Sequence, residues 1–291
     1  MKHLKSARLM LILSMTIFGT LGLFVRNIPL DSGELALYRA IQAAILIGIY
    51  LWLTKQRIPF RSIKKELPLL LLSGVAMGIN WILLFEAYKY TTVSAATLSY
   101  YFAPVIVTVV CPFLFRESLT KKQILCFVMS TVGIVLITGI GDIGNNSSGF
   151  IGILFGLSAA VFYATVILLN KFIKNVTGLH RTFLQFLAAI VILIPYVLLT
   201  GGIHLDTLDA SGWINLLIVG LIHTGIAYCF YFSSLKELPG QKAAILSYID
   251  PLVAILVSVT LLGEKMTLTQ LIGGILVLGF TLWNELSGKK G

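Results

Sequence analysis

The sequence predicts an all-α integral membrane protein, with ten transmembrane helices in two inverted five-helix repeats. Composition is the first reason. Of the 291 residues, 57% are hydrophobic and 12% charged, and the mean hydropathy is +0.94, whereas roughly a quarter of the residues in a soluble domain are charged. The second is how the apolar residues are arranged. They come in runs of about 18–24 residues divided by short polar stretches, which is the length needed to cross roughly 30 Å of hydrocarbon. The third is an internal repeat. Adding 147 to a number in Ser99–Glu117 (SYYFAPVIVTVVCPFLFRE) leads into Leu246–Glu264 (LSYIDPLVAILVSVTLLGE), carrying Tyr101 to Tyr248, Pro104 to Pro251 and Glu117 to Glu264.

Taken in order, the first span runs from Leu9 to Val25. The basic Lys2–Arg8 ahead of it imitates a signal peptide, but no A-x-A-like cleavage site follows, and we read the run as a span. The second covers Glu34 to Thr54, with Asp31 and Glu34 spaced as a capping box. A basic loop with Lys55, Arg57, Arg61, Lys64 and Lys65 precedes the third span, Leu67 to Tyr88, where Pro68 suits a first turn. The fourth is Val93 to Phe115 and the fifth Gln123 to Ile140.

Gly141–Gly149 (GDIGNNSSG) reads as a linker between a first repeat, residues 1–140, and a second, residues 150–291. The second repeat holds spans at Phe150–Leu169, Phe183–Thr200, Trp213–Leu235, Ala243–Leu262 and Leu268–Leu286. The 147-residue offset also relates Gly78 to Gly225, Phe85 to Phe232, Lys89 to Lys236 and Gln123 to Gln270, and fades over the first two spans of each half. Five is odd, so a second copy must enter the membrane from the side opposite to the first. Such repeats suit alternating access about a midplane site; a duplication kept only for packing is the plainer reading.

The net charge of +10 would suggest nucleic acid in a soluble protein. Here the basic residues gather in the loops after spans 2, 4, 6 and 8 and at both termini. The loops after spans 5 and 7 carry none. The positive-inside rule therefore places both termini in the cytoplasm and the protein in the cell (inner) membrane. Cys111, Cys126 and Cys229 fall within spans at no metal-ligand spacing and form no disulfide framework. No phosphate loop, metal-spaced cluster or nucleophile with a base appears, so we expect no enzyme activity and no cofactor.

These features resemble the EamA-type family of the drug/metabolite transporter superfamily. The carrying residues are FGTLGLFVR (Phe18–Arg26), ALYRA (Ala36–Ala40), LSYIDPLVAILVSVTLLGE, and then Gln270, Gly273 and Gly274. The resemblance spans essentially the whole chain. It implies two inverted five-helix repeats around a central cavity and transport of small metabolites, often export of amino acids or related compounds. The family commonly has Glu before the second proline. This chain has Asp250, and Ala103 at the equivalent position of the first copy, so the acid is not symmetric.

Asp250 is the leading candidate for substrate binding or proton exchange. A carboxylate at mid-span costs roughly 2.5–3.5 kcal/mol on insertion scales and is seldom there without a role. A structural partner for a buried Arg, Lys or Tyr is the alternative. Aromatic residues come second. Trp81 shares a face with Gly78, Phe85 and Tyr88, Tyr228 with Gly225 and Phe232, and Tyr101 and Tyr248 are related by the repeat. They would wall a pocket for a metabolite or an organic cation, or simply pack.

Asn80 and His223, inside their spans, are candidates for substrate hydrogen bonding, with interhelical bonding as the other reading. Pro104 and Pro251 free the carbonyls of Tyr100 and Ser247 and are candidate hinges. Arg39, Glu86 and Lys89 lie near span ends, where long side chains snorkel. Glu86 and Lys89 form an i,i+3 pair, and Arg39 reads as the partner of an acid at the extracellular mouth. Glu117 and Glu264 read as hinge or loop anchors.

The expected function is secondary transport of a small metabolite by alternating access, with export as the expected direction and protons as a candidate coupling ion. The alternatives are an importer of an organic cation held in an aromatic cage, or a non-transporting receptor or assembly subunit. The expected partners are a small-molecule substrate and membrane lipid, with no nucleic acid. Oligomeric state is not legible in the sequence.

Overall fold

The computed structural model describes residues 2–56, 63–115, 120–138, 147–176, 178–238 and 240–287. Among them every regular element is helical. In the first half, α1 (Lys2–Gly19) continues into the short α2 (Leu21–Val25), followed by α3 (Ser32–Leu53) and α4 (Leu67–Tyr90). Next come α5 (Val93–Tyr100) with α6 (Ala103–Phe115), then α7 (Lys121–Thr138). The second half begins with α8 (Ser147–Phe172) and α9 (Gly178–Thr200). Its third rod is composite: α10 (Ala210–Leu217), a π-helical segment (Ile218–Ile226) and α11 (Ala227–Glu237). Then follow α12 (Gly240–Ser247), α13 (Ile249–Thr260) and α14 (Leu268–Ser287). Arg57, Arg61, Glu117, residues 141–146 of the linker, Lys289 and Lys290 lie outside the described residues.

By length and composition, seven stretches can cross a membrane: Ser6–Val25, Ser32–Leu53, Leu67–Tyr90, Val93–Cys111, Ser148–Phe172, Gly178–Thr200 and Ala210–Leu235. Ile245–Thr260 and Leu268–Asn284 are shorter apolar helices. Large apolar side chains such as Trp52, Val191, Leu199 and Leu268 stay exposed on the outside of the bundle. Lipid solvates such a surface; water would not.

Local chemistry sets the helix ends. Pro68 occupies the first turn of α4, where its missing N–H costs nothing. Thr92 caps α5 by accepting from the Ala95 N–H at 3.1 Å. Only Thr91 and Thr92 separate α4 from α5, so the two form a tight hairpin. Asp209 caps α10 by accepting from Gly212 N–H at 2.7 Å. The capping box expected at Asp31 does not form. Asp31 is the N-cap residue of α3 but makes no side-chain cap bond. Glu34 instead accepts from His204 N at 2.8 Å and lies 3.1 Å from its Nδ1, fastening the loop after α9 to the start of α3.

The 147-residue offset reproduces the helix boundaries even where sequence similarity fades. It carries α3 onto residues 179–200, nearly all of α9, α5 onto residues 240–247, which is α12, and the end of α4 onto the end of α11. Counterparts also meet. α3 packs on α9 and α7 on α14, and the rod of α5 and α6 meets the rod of α12 and α13 through α5 and α13. α4 lies along α8, as α11 lies along α1.

The paired counterparts run antiparallel. Along α3 and α9, Gly33 faces Tyr196 and Val197 while Gly48 faces Phe183. Along the α5 and α13 rods, Ser94 N donates to Ser258 Oγ at 3.4 Å, and Tyr101 Oη donates to Asp250 Oδ2 at 2.7 Å.

Between membrane helices there is no water to expel, so close packing and hydrogen bonds must hold the interface. Gly74 and Gly78 serve this. They face α9, where a Cβ on Gly74 would meet Ala188 Cβ at 2.5 Å. Another close seam joins α7 and α14. A Cβ on Gly273 would stand 2.5 Å from the carbonyl oxygen of Gly133, and a backbone oxygen cannot rotate away. Gly273→Ala is therefore expected to destabilise the purified protein by about 1–3 kcal/mol, the usual cost of overpacking. Gly279→Ala, on the same helix with nothing within 4 Å, should leave the melting temperature unchanged. Equal melting temperatures for the two variants would contradict this packing.

Candidate functional site: a cavity between the counterpart helices

Two broken rods form the centre of the site. The rod of α5 and α6 is interrupted at Tyr101 and Phe102, and that of α12 and α13 at Tyr248. Each break lies three residues ahead of a proline, Pro104 or Pro251, whose ring cannot donate to the preceding turn. The turn tightens there: Phe102 N–H bonds Ser99 O at 3.1 Å, and Tyr248 N–H bonds Ile245 O at 3.2 Å. Asp250 consequently stands in the first turn of α13, where the positive end of the helix dipole favours a carboxylate. Its Oδ2 accepts the Tyr101 hydroxyl at 2.7 Å.

A cavity of about 430 Å³ opens at this crossing. Of the residues singled out in the sequence, Asp250, Tyr248, Tyr101, Trp81, Tyr228 and Pro104 line it. The rings of Tyr101 and Tyr248, equivalent in the repeat, stand 6.4 Å apart. Asn80, His223 and Pro251 are not part of the lining. Asn80 Nδ2 donates to Ala159 O at 2.6 Å and ties α4 to α8. His223 is buried beside Phe24, its Nε2 2.9 Å from Thr20 Oγ1 and its Nδ1 3.2 Å from Ile218 O. Both make the interhelical contacts that were the other reading of these residues.

The cavity also holds residues that sequence reasoning did not place there. Tyr100 and Tyr163 stack with ring centroids 5.1 Å apart, and nothing in their spacing signalled it. Tyr88, on the Trp81 face, lines the cavity as well. Arg39 is the largest departure. It does not pair with an acid at a membrane mouth. Since α3 begins at Ser32, Arg39 lies two turns inside, is 3% exposed, and lines the cavity. Its guanidinium carbon sits 4.6 Å over the Trp81 ring and 5.5 Å from that of Phe85. Its Nε donates to Thr224 Oγ1 at 2.6 Å.

The π-helical segment positions that threonine, whose hydroxyl bonds the carbonyl of Val219, five residues back, at 2.8 Å. Such segments gather at functional sites. Each cation–π contact offsets about 2 kcal/mol when desolvated, against the several kcal/mol that removing a charge from water costs.

A latch lies beside Tyr88, at one edge of the cavity lining. The Arg26 guanidinium, just past α2, pairs with Glu264 and bonds the carbonyls of Tyr88 and Thr91. Glu264 also accepts from Val93 N–H at 2.9 Å and from the Ser258 hydroxyl. Arg26 and Glu264 thus join the first rod, the α4–α5 turn and the end of α13. Toward its other end the lining reaches Leu235 and Ala243, beside the connection between α11 and α12. Glu264→Gln removes the ion pair and keeps an acceptor for Val93. In a background without the native cysteines, a Thr97→Cys probe in the cavity should then react faster with a membrane-impermeant thiol reagent added from the latched side. An unchanged rate would show that this ion pair does not bar entry.

The EamA-like transporter family matches the chain twice, over residues 5–139 and 150–284. An uncharacterized transporter of Bacillus subtilis, YxxF, is 32% identical over 278 residues, covering 95% of this chain and 88% of its own. An uncharacterized transporter of Archaeoglobus fulgidus is 28% identical over 94% of this chain and 95% of its own, and protein PecM of Dickeya dadantii is 26% identical over 86% and 82%. A crystal structure with 17% identity superposes over 95% of both chains with a TM-score of 0.63, a likeness of fold. With both halves matched across the chain, this multi-pass membrane protein belongs to the EamA-like transporter family.

Proposed function

We propose that the protein is a secondary transporter that carries a small metabolite by alternating access through the cavity at Asp250. The carrying observation is the position of that cavity. It lies where the broken rod of one half crosses its antiparallel counterpart, with a half-buried carboxylate facing it. In this reading there are ten spans: the seven long ones, the two shorter apolar helices and α7. They form two inverted repeats, residues 1–140 and 150–291, joined by residues 141–149. The shared helix boundaries and the antiparallel pairing of counterparts support the inversion. Both termini lie in the cytoplasm of the cell membrane, as the basic loops require.

Exchange of conformation between two similar halves would open the cavity to each side in turn. The latch at Arg26 and Glu264 closes one end in the present conformation, and the breaks before Pro104 and Pro251 supply the hinges. Asp250 binds the substrate's cationic group or exchanges a proton, and Tyr101 holds one of its oxygens. The favoured direction is export. An organic-cation cage is less well supported, because Arg39 already covers the Trp81 ring.

The test is flux in proteoliposomes under an imposed pH gradient, with amino acids, amines and nucleosides as candidates. Wild-type protein should move at least one of them, faster with a proton gradient directed against the flux. Asp250→Asn should abolish that acceleration while the melting temperature stays within a few degrees of wild type, since asparagine cannot carry a proton. Gradient-driven flux at the wild-type rate in Asp250→Asn would remove Asp250 from coupling. Ligand binding without flux of any candidate would favour a receptor.

A further inference from the structure

The transport reading leaves one buried charge unexplained. Arg39 is almost fully buried, and none of the ion pairs among the described residues includes it: these join Arg26 to Glu264, Lys89 to Glu86 and His204 to Glu34. Its Nε is held by Thr224, while its Nη1 has no hydrogen-bond partner. Asp250, the acid of the same cavity, is engaged by Tyr101 and not by Arg39. Two opposite charges therefore line one space of about 430 Å³ without neutralising each other. A protein that needed only structural neutrality would let them pair. A buried cation left unpaired is costly unless something completes it, and a guanidinium offers a planar fork of donors suited to a carboxylate.

We propose that Arg39 is the anion-recognition residue of the cavity, and that the occupant is a small zwitterionic metabolite whose carboxylate meets Arg39 and whose cationic group meets Asp250. Trp81 and Phe85 fix the plane of the guanidinium, and Thr224, held by the π-helical segment, fixes its roll. This orientation costs the protein flexibility and leaves one edge of the fork unused. The cavity as a whole thus selects against compounds that carry only one of the two charges. This rests on the transport reading for what happens after binding, not for binding itself.

The test compares ligands that differ only at the anionic group. Purified full-length protein is titrated calorimetrically with the twenty proteinogenic L-amino acids and with γ-aminobutyrate and glycine betaine. Any binder is then compared with its carboxamide and its decarboxylated amine. At least one zwitterion should bind at least tenfold more tightly than its carboxamide. Arg39→Gln should shrink that ratio to within about threefold by weakening the zwitterion far more than its carboxamide, and Arg39→Lys should keep part of it. A merely structural arginine would lower both affinities together. If Arg39→Gln fails to fold, Thr224→Val serves instead. It frees the guanidinium without removing its charge, and should reduce the ratio several-fold.

The inference is overturned if no zwitterion binds, if carboxamides or amines bind as tightly as the acids, or if the ratio survives both variants. Flux of an amine that is indifferent to Arg39→Gln would overturn the anion site and leave transport standing. Selective zwitterion binding without flux would do the reverse.

Discussion

The hydroxyl of Tyr101 donates to Asp250 where two broken rods cross, and the site is built around that bond. It bridges the halves of the chain and holds the acid of the cavity. It exists because each rod is interrupted a few residues ahead of a proline. An unbroken helix would present no dipole end at that depth, and its side chains would pack ridge into groove with no space between. The breaks bring Tyr101 and Tyr248, equivalent positions in the two halves, within 6.4 Å of each other, ring centre to ring centre.

Around the crossing, the helices are fastened by two kinds of contact that work without water. One is close backbone approach at small residues. Gly133 against Gly273 seals α7 to α14, and Gly19 lets α1 approach the carbonyl of Asp250, where a Cβ would stand 2.5 Å away. The other is a hydrogen bond from a buried polar side chain to a neighbouring helix. Asn80 reaches α8 in this way, Gln185 reaches Ser73 at 2.5 Å, and Ser14 reaches Ala227 at 2.8 Å. Both fix the bundle at the ends and flanks while leaving the centre unfilled. The Arg26–Glu264 pair has a different character. It ties three segments at one end through charge.

The halves are similar in frame but not in chemistry. Helix boundaries repeat with a constant offset, yet Asp250 faces Ala103 in the repeat and Arg39 has Phe186 at the equivalent place. The π-helical segment has no counterpart either, since the corresponding part of α4 is ordinary α-helix. Asymmetric side chains give a single site a defined polarity.

The sequence alone was enough to establish a membrane protein of repeated apolar spans. Run length, loop charge and the 147-residue offset are one-dimensional properties, and the bilayer imposes them on any chain. It also singled out Asp250, because a lone carboxylate in a long apolar run has few uses, and the Trp81 face, because helical spacing is local. It could not tell that Asn80 and His223 bond neighbouring helices instead of lining the cavity, that Glu34 holds His204 instead of capping α3, or that Arg39 stands uncompensated beside an aromatic wall. Whether a polar group is satisfied, and by what, depends on which helix lies opposite it. Only the tertiary packing of distant segments decides that.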